Sequence, residues 1–454
     1  MASLKKRFVD DIKHRGTEKE YAKSRLVVQM YKDDQKNSVL TQSPTLQRVS
    51  QRIILALAAM LPCDLFLRDI TQAYVQSTTN LSRDIYVRPP PELGSHEIIL
   101  KLQKPLYGVP EAGNHWLYTY YKHLTEKLSL IPSTFDPCLL CSSDSDADEF
   151  GVVGLQTDDT LFLANQKFAD KEENEIKKAK LIAKDRKPSL KNLKLVQPHP
   201  TDILNSRGKL RKASSTHDQF VAQRARGAYI ASVCQPEASF DLSFAAQAVR
   251  LNNTDINSLN KRLKWQLENS ERGLRYVELD KSSIELVVFT DSSFANNKDF
   301  SSQIGFVVVL KDKENRANIL HLSSTKCKRV TRSVLATELY ALVNRFDSAT
   351  TIKSTLERIL CMQLPLIICT DSKSLYDCLV KLGTTRENRL MIDVICLREA
   401  YEKREIAEIR WIKGQSNPAD DITKSKCCNA LRNLIDTNSI FIETNEWVER
   451  SSQQ

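Results

Sequence analysis

The sequence has no long hydrophobic run. Its 454 residues contain no uninterrupted stretch of about 18 apolar residues, the length that a membrane-spanning helix needs. The N-terminal residues, MASLKKRFVDDIKHRG, also lack the apolar core of a secretory signal. We therefore expect a soluble chain with no membrane partner, located in the cytoplasm or the nucleus.

The cysteines do not form the pattern of a disulfide framework. There are 11 of them, an odd number, and they are scattered along the chain, which is typical of reduced thiols inside a cell. One CxxC pair occurs, Cys138 and Cys141, but no second pair follows at zinc spacing and no histidine is near. We interpret this pair as buried thiols, and a metal knuckle is the less favoured alternative.

The composition indicates a globular protein with several domains. Hydrophobic residues make up 41% of the chain, and 454 residues are too many for one compact core. The sequence has 66 Lys and Arg against 56 Asp and Glu, a formal charge of +10. This moderate excess fits a polyanionic partner such as a nucleic acid without proving one.

The hydrophobic periodicity changes along the chain. In the first third, apolar residues at helical spacing predict helices over 45–61 and 112–128, and strand-like runs lie at 25–31 and 63–75. We expect these helices to bury one face against the strands.

The second half of the chain has a different pattern. A heavily charged helix with a solvated face is predicted over 168–187, and a polar, irregular connector over 188–215. Amphipathic helices follow over 216–275. From residue 284 the strands and helices alternate as in a separate mixed α/β domain.

Asp158 and Asp159 are adjacent carboxylates between two apolar runs, GVVGLQ and TLFLA. The chain has four such Asp pairs, and most pairs of this kind are solvated turns. Here the flanking runs predict a buried hairpin with a two-residue acidic turn, and Asp69 ends another apolar strand in LFLRDITQAY. Three carboxylates on adjacent strands suit a two-metal site for phosphoryl transfer, whereas a solvated turn remains the alternative.

A second set of acidic residues lies in the last third of the chain. Each follows a strand or falls on a helix, and each alone is more often structural or solvated. Together they have the order Asp, Glu, Asp, Asp: Asp291, Glu338, Asp371 and Asp420, with Asp421 as the alternative for the last position.

Seven motifs follow one another in the order of a known family. They are RLVVQ, LTQSP, ILALAA, DITQAYV, IYVRPP, KLQKPLYGVPEAGNHW and LQTDD. Their order, over about residues 7–164, resembles the reverse transcriptase region of the copia-type (Pseudoviridae) LTR retrotransposon pol polyprotein, most of all its fungal branch. The second acidic set resembles the RNase H domain of the same elements, over about residues 284–424.

The resemblance implies an α/β and α+β multidomain fold. We expect right-hand polymerase fingers and palm over 1–190, with truncated fingers and without the primer-grip hairpin, and a thumb-like or connection-like region over 191–280. An RNase H-like mixed sheet flanked by helices is expected over 281–426, and a C-terminal tail over 427–454.

The resemblance also implies roles for individual residues. Lys23 and Arg25 would neutralise triphosphate charge, Tyr74 would pack beneath the incoming sugar, and Glu111 stands where many relatives carry a glutamine near the nucleotide. The catalytic and metal-binding residues would be Asp69, Asp158, Asp159, Asp291, Glu338, Asp371 and Asp420. The basic residues that suit contact with nucleic-acid phosphates are Arg224, Arg226, Lys261, Arg262 and Lys264.

The implied activity is RNA-directed DNA synthesis together with RNase H cleavage of RNA–DNA hybrids, with Mg²⁺ or Mn²⁺ as cofactor. The partners would be an RNA template, a DNA primer, the hybrid and dNTPs. Gln156 and Thr157 replace the family's usual aromatic-Val before the Asp pair. The alternative is therefore a degenerate fragment that keeps the fold and binds nucleic acid, with or without RNase H activity, but does not polymerise.

Overall fold

The computed structural model shows a mixed α/β protein with two compact units. One unit comprises residues 1–50 and 62–189, and the other comprises 51–61 and 190–454. The residues that the structure describes are 4–13, 18, 20–30, 33, 35–90, 98–142, 148–188, 194–195, 216–248, 250–381, 384–385, 387–425 and 428–446.

The first unit contains two sheets, with strand orders β2-β1-β4-β5 and β10-β3-β9-β8-β7-β6. Its strands are β1 (Leu4–Lys13), β2 (Tyr21–Val28), β3 (Asp64–Asp69), β4 (Tyr86–Arg88), β5 (Leu100–Lys101), β6 (Ile131–Pro132), β7 (Leu139–Cys141), β8 (Gly151–Gln156), β9 (Asp159–Ala164) and β10 (Lys187–Pro188). Its helices are α2 (Ala112–Lys127) and α3 (Gln166–Lys178), and helix α1 (Arg48–Met60) begins here while its residues from 51 on group with the second unit.

Strands β3, β8 and β9 form the centre of the larger sheet. Both β8 and β9 are largely buried, as their apolar runs predict, and the pairing of β3 with β9 is antiparallel. In this register Asp69 lies directly opposite Asp159, and Asp64 opposite Ala164. The pairing thus brings Asp69, the last residue of β3, and Asp159, the first residue of β9, together at one end of these strands.

The charged helix is shorter than its sequence pattern predicts. Helix α3 ends at Lys178, and residues from Ile182 onward run beside the end of β3, where Ala183 pairs with Ile70. The helix is also not simply solvated, because Glu172 is buried and forms an ion pair with Arg68 of β3. The predicted connector contributes β10, and its residues 189–193 and 196–215 lie outside the described residues.

The second unit combines a group of helices with a six-stranded sheet of order β15-β14-β13-β16-β17-β18, and β11 pairs with β12. Its helices are α4 (Thr216–Val233), α5 (Ser239–Ala245), α6 (Asn253–Glu268), α7 (Val334–Leu360), α8 (Lys373–Val380), α9 (Met391–Glu402) and α10 (Ala430–Thr437). Its strands are β11 (Lys194–Leu195), β12 (Leu274–Arg275), β13 (Glu285–Ser293), β14 (Gln303–Lys311), β15 (Ala317–Lys326), β16 (Leu366–Thr370), β17 (Glu408–Ile412) and β18 (Thr444–Glu446).

The sheet of the second unit is mixed. Strands β13, β14 and β15 are antiparallel, whereas β16 and β17 run parallel to β13. Strand β14 is buried along its whole length, and β13 almost so, which explains their continuous apolar sequences. Because β13 and β16 are parallel neighbours, their carboxyl ends meet at one edge of the sheet.

Residues 428–446 add a helix and a strand to this unit, in the region for which the sequence predicted a tail over 427–454. Helix α10 buries Leu431, Leu434 and Ile435, and β18 pairs with β17. The short apolar spacing of α10 is hard to distinguish from a loop in the sequence alone. Cys138 and Cys141 are buried free thiols, as predicted. No helix in the described part of the chain is long and apolar enough to cross a membrane.

The ion pair between Arg68 and Glu172 yields a prediction about stability. The side chains are 2% and 3% exposed, and Arg68 also pairs with the partly exposed Glu173 at 2.7 Å. Loss of the Glu172 carboxylate removes the buried partner and leaves the guanidinium with Glu173, so we expect Glu172→Ala to lower the free energy of unfolding by about 1–3 kcal/mol, measured by urea denaturation. Glu175→Ala on the same helix is the control, because its pair with Lys178 is at the surface and its loss should change little. Equal losses in the two variants would contradict this account.

Candidate functional site

The hairpin that carries the first acidic pair turns one residue earlier than predicted. Its turn residues are Thr157 and Asp158, and Asp159 is already the first residue of β9. Thr157 adopts a left-handed conformation with φ 55°. The turn is held by Trp116, whose Nε1 donates to the Thr157 carbonyl at 2.8 Å, and by the Ile70 amide, which donates to the Asp158 carbonyl at 2.9 Å.

The three predicted acidic residues of the first unit lie at or beside this turn. Asp69 ends β3 opposite Asp159, and Asp158 is in the turn between β8 and β9, but these three described residues do not form a carboxylate set within 4.8 Å. Partial burial and the charges of Asp158 and Asp69 raise the pKa of Asp159, while Lys184 opposes this shift. The site therefore concentrates negative charge, which a bound cation would stabilise.

A cavity of about 580 Å³ opens in front of these carboxylates. Lys23 and Arg25 reach it from β2, and Tyr107 comes from a loop that is bonded to β2 through the Val28 amide. This loop needs a glycine at position 108, where φ is +89° and a Cβ would lie 2.1 Å from the Val28 carbonyl oxygen. The charged and aromatic residues in the lining are Lys23, Arg25, Asp69, Tyr107, Asp158, Asp159 and Lys184.

Tyr74 lies beside the cavity, in a short 3-10 turn after β3. Its ring packs on Tyr107 with the centroids 4.9 Å apart, and it borders a small core that includes Val28 and Val109. Burial and the charge of Asp158 raise the pKa of both tyrosine hydroxyls. Tyr74 thus supports Tyr107, which lines the cavity together with the acidic residues.

Glu111 does not line this cavity. Its carboxylate accepts two hydrogen bonds from Arg83, at 2.7 and 3.0 Å, and Arg83 also donates two to Asp33, at 2.9 and 2.7 Å. Both bidentate contacts raise the pKa of Arg83. The negative charge that the sequence placed near a nucleotide is therefore partly balanced by Arg83, which Glu111 shares with Asp33.

The second acidic set converges at the edge of the other sheet. Asp291 lies near the end of β13, Asp371 directly follows the parallel strand β16, and Asp420 begins a 3-10 turn after β17. One carboxylate oxygen of each lies within 4.8 Å of one oxygen of the others. Divalent cations such as Mg²⁺ bind sets of carboxylate oxygens of this kind.

Glu338 projects from α7 toward the same place. The residue is 4% exposed, and its Oε2 atom is buried with no hydrogen-bond partner. Burial and the charges of Asp291 and Asp371 raise its pKa well above the ordinary range. Burial and Asp371 also raise the pKa of Asp291, to about 7. A buried acceptor without a donor, next to three converging carboxylates, fits a metal ion.

The two candidates for the last acidic position have different neighbours. Asp420 lies in one set with Asp291 and Asp371, whereas Asp421 lies in a set with Asp420 and Cys428, at the start of α10. The carboxylate of Asp421 accepts hydrogen bonds from the amides of Asn429 at 3.1 Å and Leu431 at 2.7 Å. Asp421 is also near Cys428, but burial raises the pKa of that thiol to about 12, which disfavours a thiolate ligand.

The sequence analysis missed two residues beside this set. Thr423 donates a hydrogen bond to Asp291, and Lys424 forms an ion pair with Asp420 and lies 3.9 Å from an oxygen of Asp291. The turn that carries them packs on Gly305 of β14, where a Cβ would meet Thr423 at 2.6 Å. Lys424 follows Asp420 by four residues, and that spacing could have indicated it.

The predicted phosphate contacts lie on two packed helices. Arg224 and Arg226 belong to α4, and the other three to α6. Arg262 is paired with Asp241 and its guanidinium lies 5.0 Å from the Trp265 ring centroid. Lys264 approaches Glu268 at 3.7 Å on the surface. The acidic partners thus offset part of the positive charge that was predicted here.

Comparison with known proteins identifies a family that part of this chain resembles. Residues 2–193 match the family described as reverse transcriptase (RNA-dependent DNA polymerase). The Transposon Ty1-ER2 Gag-Pol polyprotein of Saccharomyces cerevisiae (strain ATCC 204508 / S288c) is 21% identical over 426 residues, covering 84% of this chain and 23% of that protein. The Ty1-NL2 polyprotein of the same yeast is 21% identical over 428 residues, with the same coverage.

Two solved structures are also similar. LC11 RNase H1 in complex with an RNA/DNA hybrid has 18% identity and a TM-score of 0.25, and covers 32% of this chain and 99% of its own. The Prototype Foamy Virus protease-reverse transcriptase has 10% identity and a TM-score of 0.24, and covers 96% of this chain and 73% of its own.

Residues 2–193 thus match the reverse transcriptase family, and over most of its length the chain is similar to the Gag-Pol polyproteins of Ty1 transposons. This similarity confirms the resemblance to copia-type (Pseudoviridae) retrotransposon polyproteins that was found in the sequence. It spans about a quarter of the length of the curated relatives that it matches.

The different neighbours of Asp420 and Asp421 predict distinct consequences for two matched variants. Asp421→Asn removes an acceptor from the start of α10 and should lower the free energy of unfolding by about 1–3 kcal/mol, while Mg²⁺ still raises the melting temperature. Asp420→Asn should diminish the Mg²⁺ effect instead. Thermal unfolding with and without Mg²⁺ measures both, and a Mg²⁺ effect lost only in Asp421→Asn would reverse the assignment.

The raised pKa values predict how stability depends on pH without divalent cations. Asp291, Glu338 and Asp371 bind protons more tightly in the folded than in the unfolded chain. Their ionisation therefore destabilises the fold as pH rises from about 4, the ordinary pKa of an aspartate, to about 7, the raised pKa of Asp291, by up to about 1.4 kcal/mol per pH unit for each group that ionises. Glu338→Gln cannot ionise, so its unfolding free energy should fall less over this range. An unchanged or steeper decline in that variant would argue against a buried charged cluster.

Proposed function

We propose that this chain is the reverse transcriptase and RNase H part of a copia-type retrotransposon polyprotein, and that it synthesises DNA on an RNA template and cleaves the RNA of RNA–DNA hybrids. The observation that carries the proposal is that two separate acidic sets lie at strand ends in two sheets. The first places Asp69 opposite Asp159, and three members of the second bring carboxylate oxygens within 4.8 Å of one another. In each set the carboxylates come from distant parts of the sequence, which a solvated turn does not require.

We propose three domains, of which the first corresponds to the first compact unit except for residues 51–61. Residues 1–190 would form the fingers and palm, and 191–280 a thumb-like or connection-like region. The RNase H-like domain would begin near residue 281, and its sheet continues to β18, so we extend its proposed end from 426 to 446. The mixed sheet with α7 packed on β13 is the arrangement expected of an RNase H-like domain.

In the polymerase site, Asp69, Asp158 and Asp159 would hold Mg²⁺ or Mn²⁺. Such ions activate the attacking hydroxyl and stabilise the leaving pyrophosphate. Lys23 and Arg25 lie across the cavity, where they would neutralise the triphosphate of a dNTP. Tyr74, supported by Tyr107, would pack beneath the sugar. Glu111 has no nucleotide contact in this proposal, because Arg83 binds its carboxylate.

In the nuclease site, Asp291, Glu338, Asp371 and Asp420 would hold the divalent ions. Bound there, the ions lower the pKa of water and thereby supply the nucleophile for hydrolysis of the RNA strand. Thr423 would orient Asp291, and Lys424 would balance the charge of Asp420. The hybrid would be recognised by its shape and by the 2′-hydroxyl groups of its RNA strand, and the basic residues of α4 and α6 would contact its phosphates.

A second candidate is a nucleic-acid-binding protein with nuclease activity but without polymerase activity. The difference between the two sites favours it in one respect. Lys184 forms an ion pair with Asp69 in the first site, while Glu338 in the second keeps a buried oxygen without a hydrogen-bond partner. A cation would have to compete with an ammonium group at the first site.

Two assays separate these functions. Primer extension on an RNA template should fall roughly 100-fold or more in Asp69→Asn. This variant loses a metal ligand, and that loss should lower activity more than loss of a residue that only hydrogen-bonds to a ligand. Cleavage of a labelled RNA–DNA hybrid should fall similarly in Glu338→Gln but not in Asp69→Asn. Extension no faster in the wild type than in Asp69→Asn, with hybrid cleavage intact, would leave the second candidate. Neither activity in the wild type would refute both.

A further inference from the structure

A short segment after α3 lies against the polymerase carboxylates. We name residues 182–184 the strap. The Thr71 amide donates to the Ile182 carbonyl at 2.8 Å, and the Lys184 amide donates to the Asp69 carbonyl at 2.9 Å. Because Ala183 also pairs with Ile70, the strap extends the edge of β3 at the point where Asp69 ends it.

Gln76 holds one end of the strap. Its Oε1 accepts from the Ile182 amide at 2.8 Å, and its Nε2 donates to the Ile182 carbonyl at 3.1 Å. The side chain thus pairs with the backbone as a neighbouring strand would. Gln76 belongs to the same 3-10 turn as Tyr74, so the turn beside the cavity also holds the strap in place.

Arg68 holds the other end. Its Nη1 donates to the Lys184 carbonyl at 3.1 Å, while its Nε donates to Glu172 of α3 at 3.1 Å. Arg68 is buried, and its guanidinium cannot move without breaking the pair with Glu172. The backbone of Lys184 is therefore fixed although its side chain is half exposed.

The side chain of Lys184 extends from this fixed backbone to the carboxylate of Asp69, with which it forms an ion pair. The two side chains are 50% and 38% exposed, so water can replace either partner. The ammonium group is paired with Oδ2 of Asp69, so a divalent cation would compete with it for that oxygen. Lys184 also lines the cavity with Asp158 and Asp159.

We propose that Lys184 is a displaceable counterion of Asp69 that lowers the affinity of the polymerase site for divalent cations, and that Gln76 is the positioning residue that holds it there. The proposal rests on the proposed function, because it takes the acidic set of the first unit to be a metal site. A cation that binds Oδ2 of Asp69 must displace the ammonium group, and one that binds the other oxygen is repelled by it.

The test is a titration of the full chain with Mn²⁺ alone, followed by electron paramagnetic resonance of the free ion. Asp69→Asn, measured in parallel, identifies the share of binding that belongs to this site. We expect Lys184→Met to lower the dissociation constant of that share roughly two- to fivefold, the range of a partly exposed ion pair. Lys178→Met removes the same charge from the surface of α3 and should leave it unchanged.

The outcomes distinguish the proposal from its foundation. If Asp69→Asn binds Mn²⁺ like the wild type, the metal site of the proposed function fails. If Asp69→Asn loses a share but Lys184→Met binds that share no more tightly than Lys178→Met, the counterion role is wrong. Circular dichroism of each variant checks that it is folded.

Gln76 is tested by a double-mutant cycle. Gln76→Leu should tighten Mn²⁺ binding in the same direction as Lys184→Met and by less, since the ammonium group stays nearby. In the double variant, the effect should equal that of Lys184→Met alone, because Gln76 acts only through the lysine. Additive effects, or weaker binding in Gln76→Leu, would refute the positioning role.

Discussion

The repulsion between carboxylates that the fold brings together is the constraint on which both sites depend. Antiparallel pairing of β3 with β9 sets Asp69 opposite Asp159, and parallel pairing of β13 with β16 brings Asp291 close to Asp371. Backbone hydrogen bonds and apolar burial enforce these registers, so the acidic side chains cannot separate without breaking a sheet. Folding thus keeps negatively charged side chains close together despite their repulsion, and a bound cation would reduce that repulsion.

The two sites meet this constraint to different extents. In the first unit the carboxylates are partly exposed, and Lys184, 115 residues from Asp69 in sequence, supplies a positive charge. In the second unit Asp291 and Glu338 are buried, and burial is the largest cause of their raised pKa values. Lys424 reaches Asp420 but not the buried oxygen of Glu338. Protonation of the carboxylates therefore reduces the negative charge more in the second site than in the first.

Local patterns predicted the elements that carry the acidic residues, because each is a short apolar run or an amphipathic helix. The order of the motifs then assembled Asp69 with the hairpin, which no single segment indicates. Three features depended on contacts between distant residues and were missed: the pairing of Glu111 with Arg83, the burial of Glu172 by Arg68, and the approach of Lys184 to Asp69. The turn was predicted one residue late because Thr157 is not a usual residue for a positive φ.

Arg68 links stability to the first site. It immediately precedes Asp69, and alternation along β3 points the two side chains to opposite faces of the strand. The guanidinium is buried between α3 and the strap, where Glu172 and the Lys184 carbonyl bind it, while the carboxylate of Asp69 faces the cavity. Arg68, a charged residue on the buried face of β3, thus fixes the backbone of both Asp69 and Lys184. Replacing this ion pair with apolar residues could preserve the sheet, but it would remove the hydrogen bond that holds Lys184 in place.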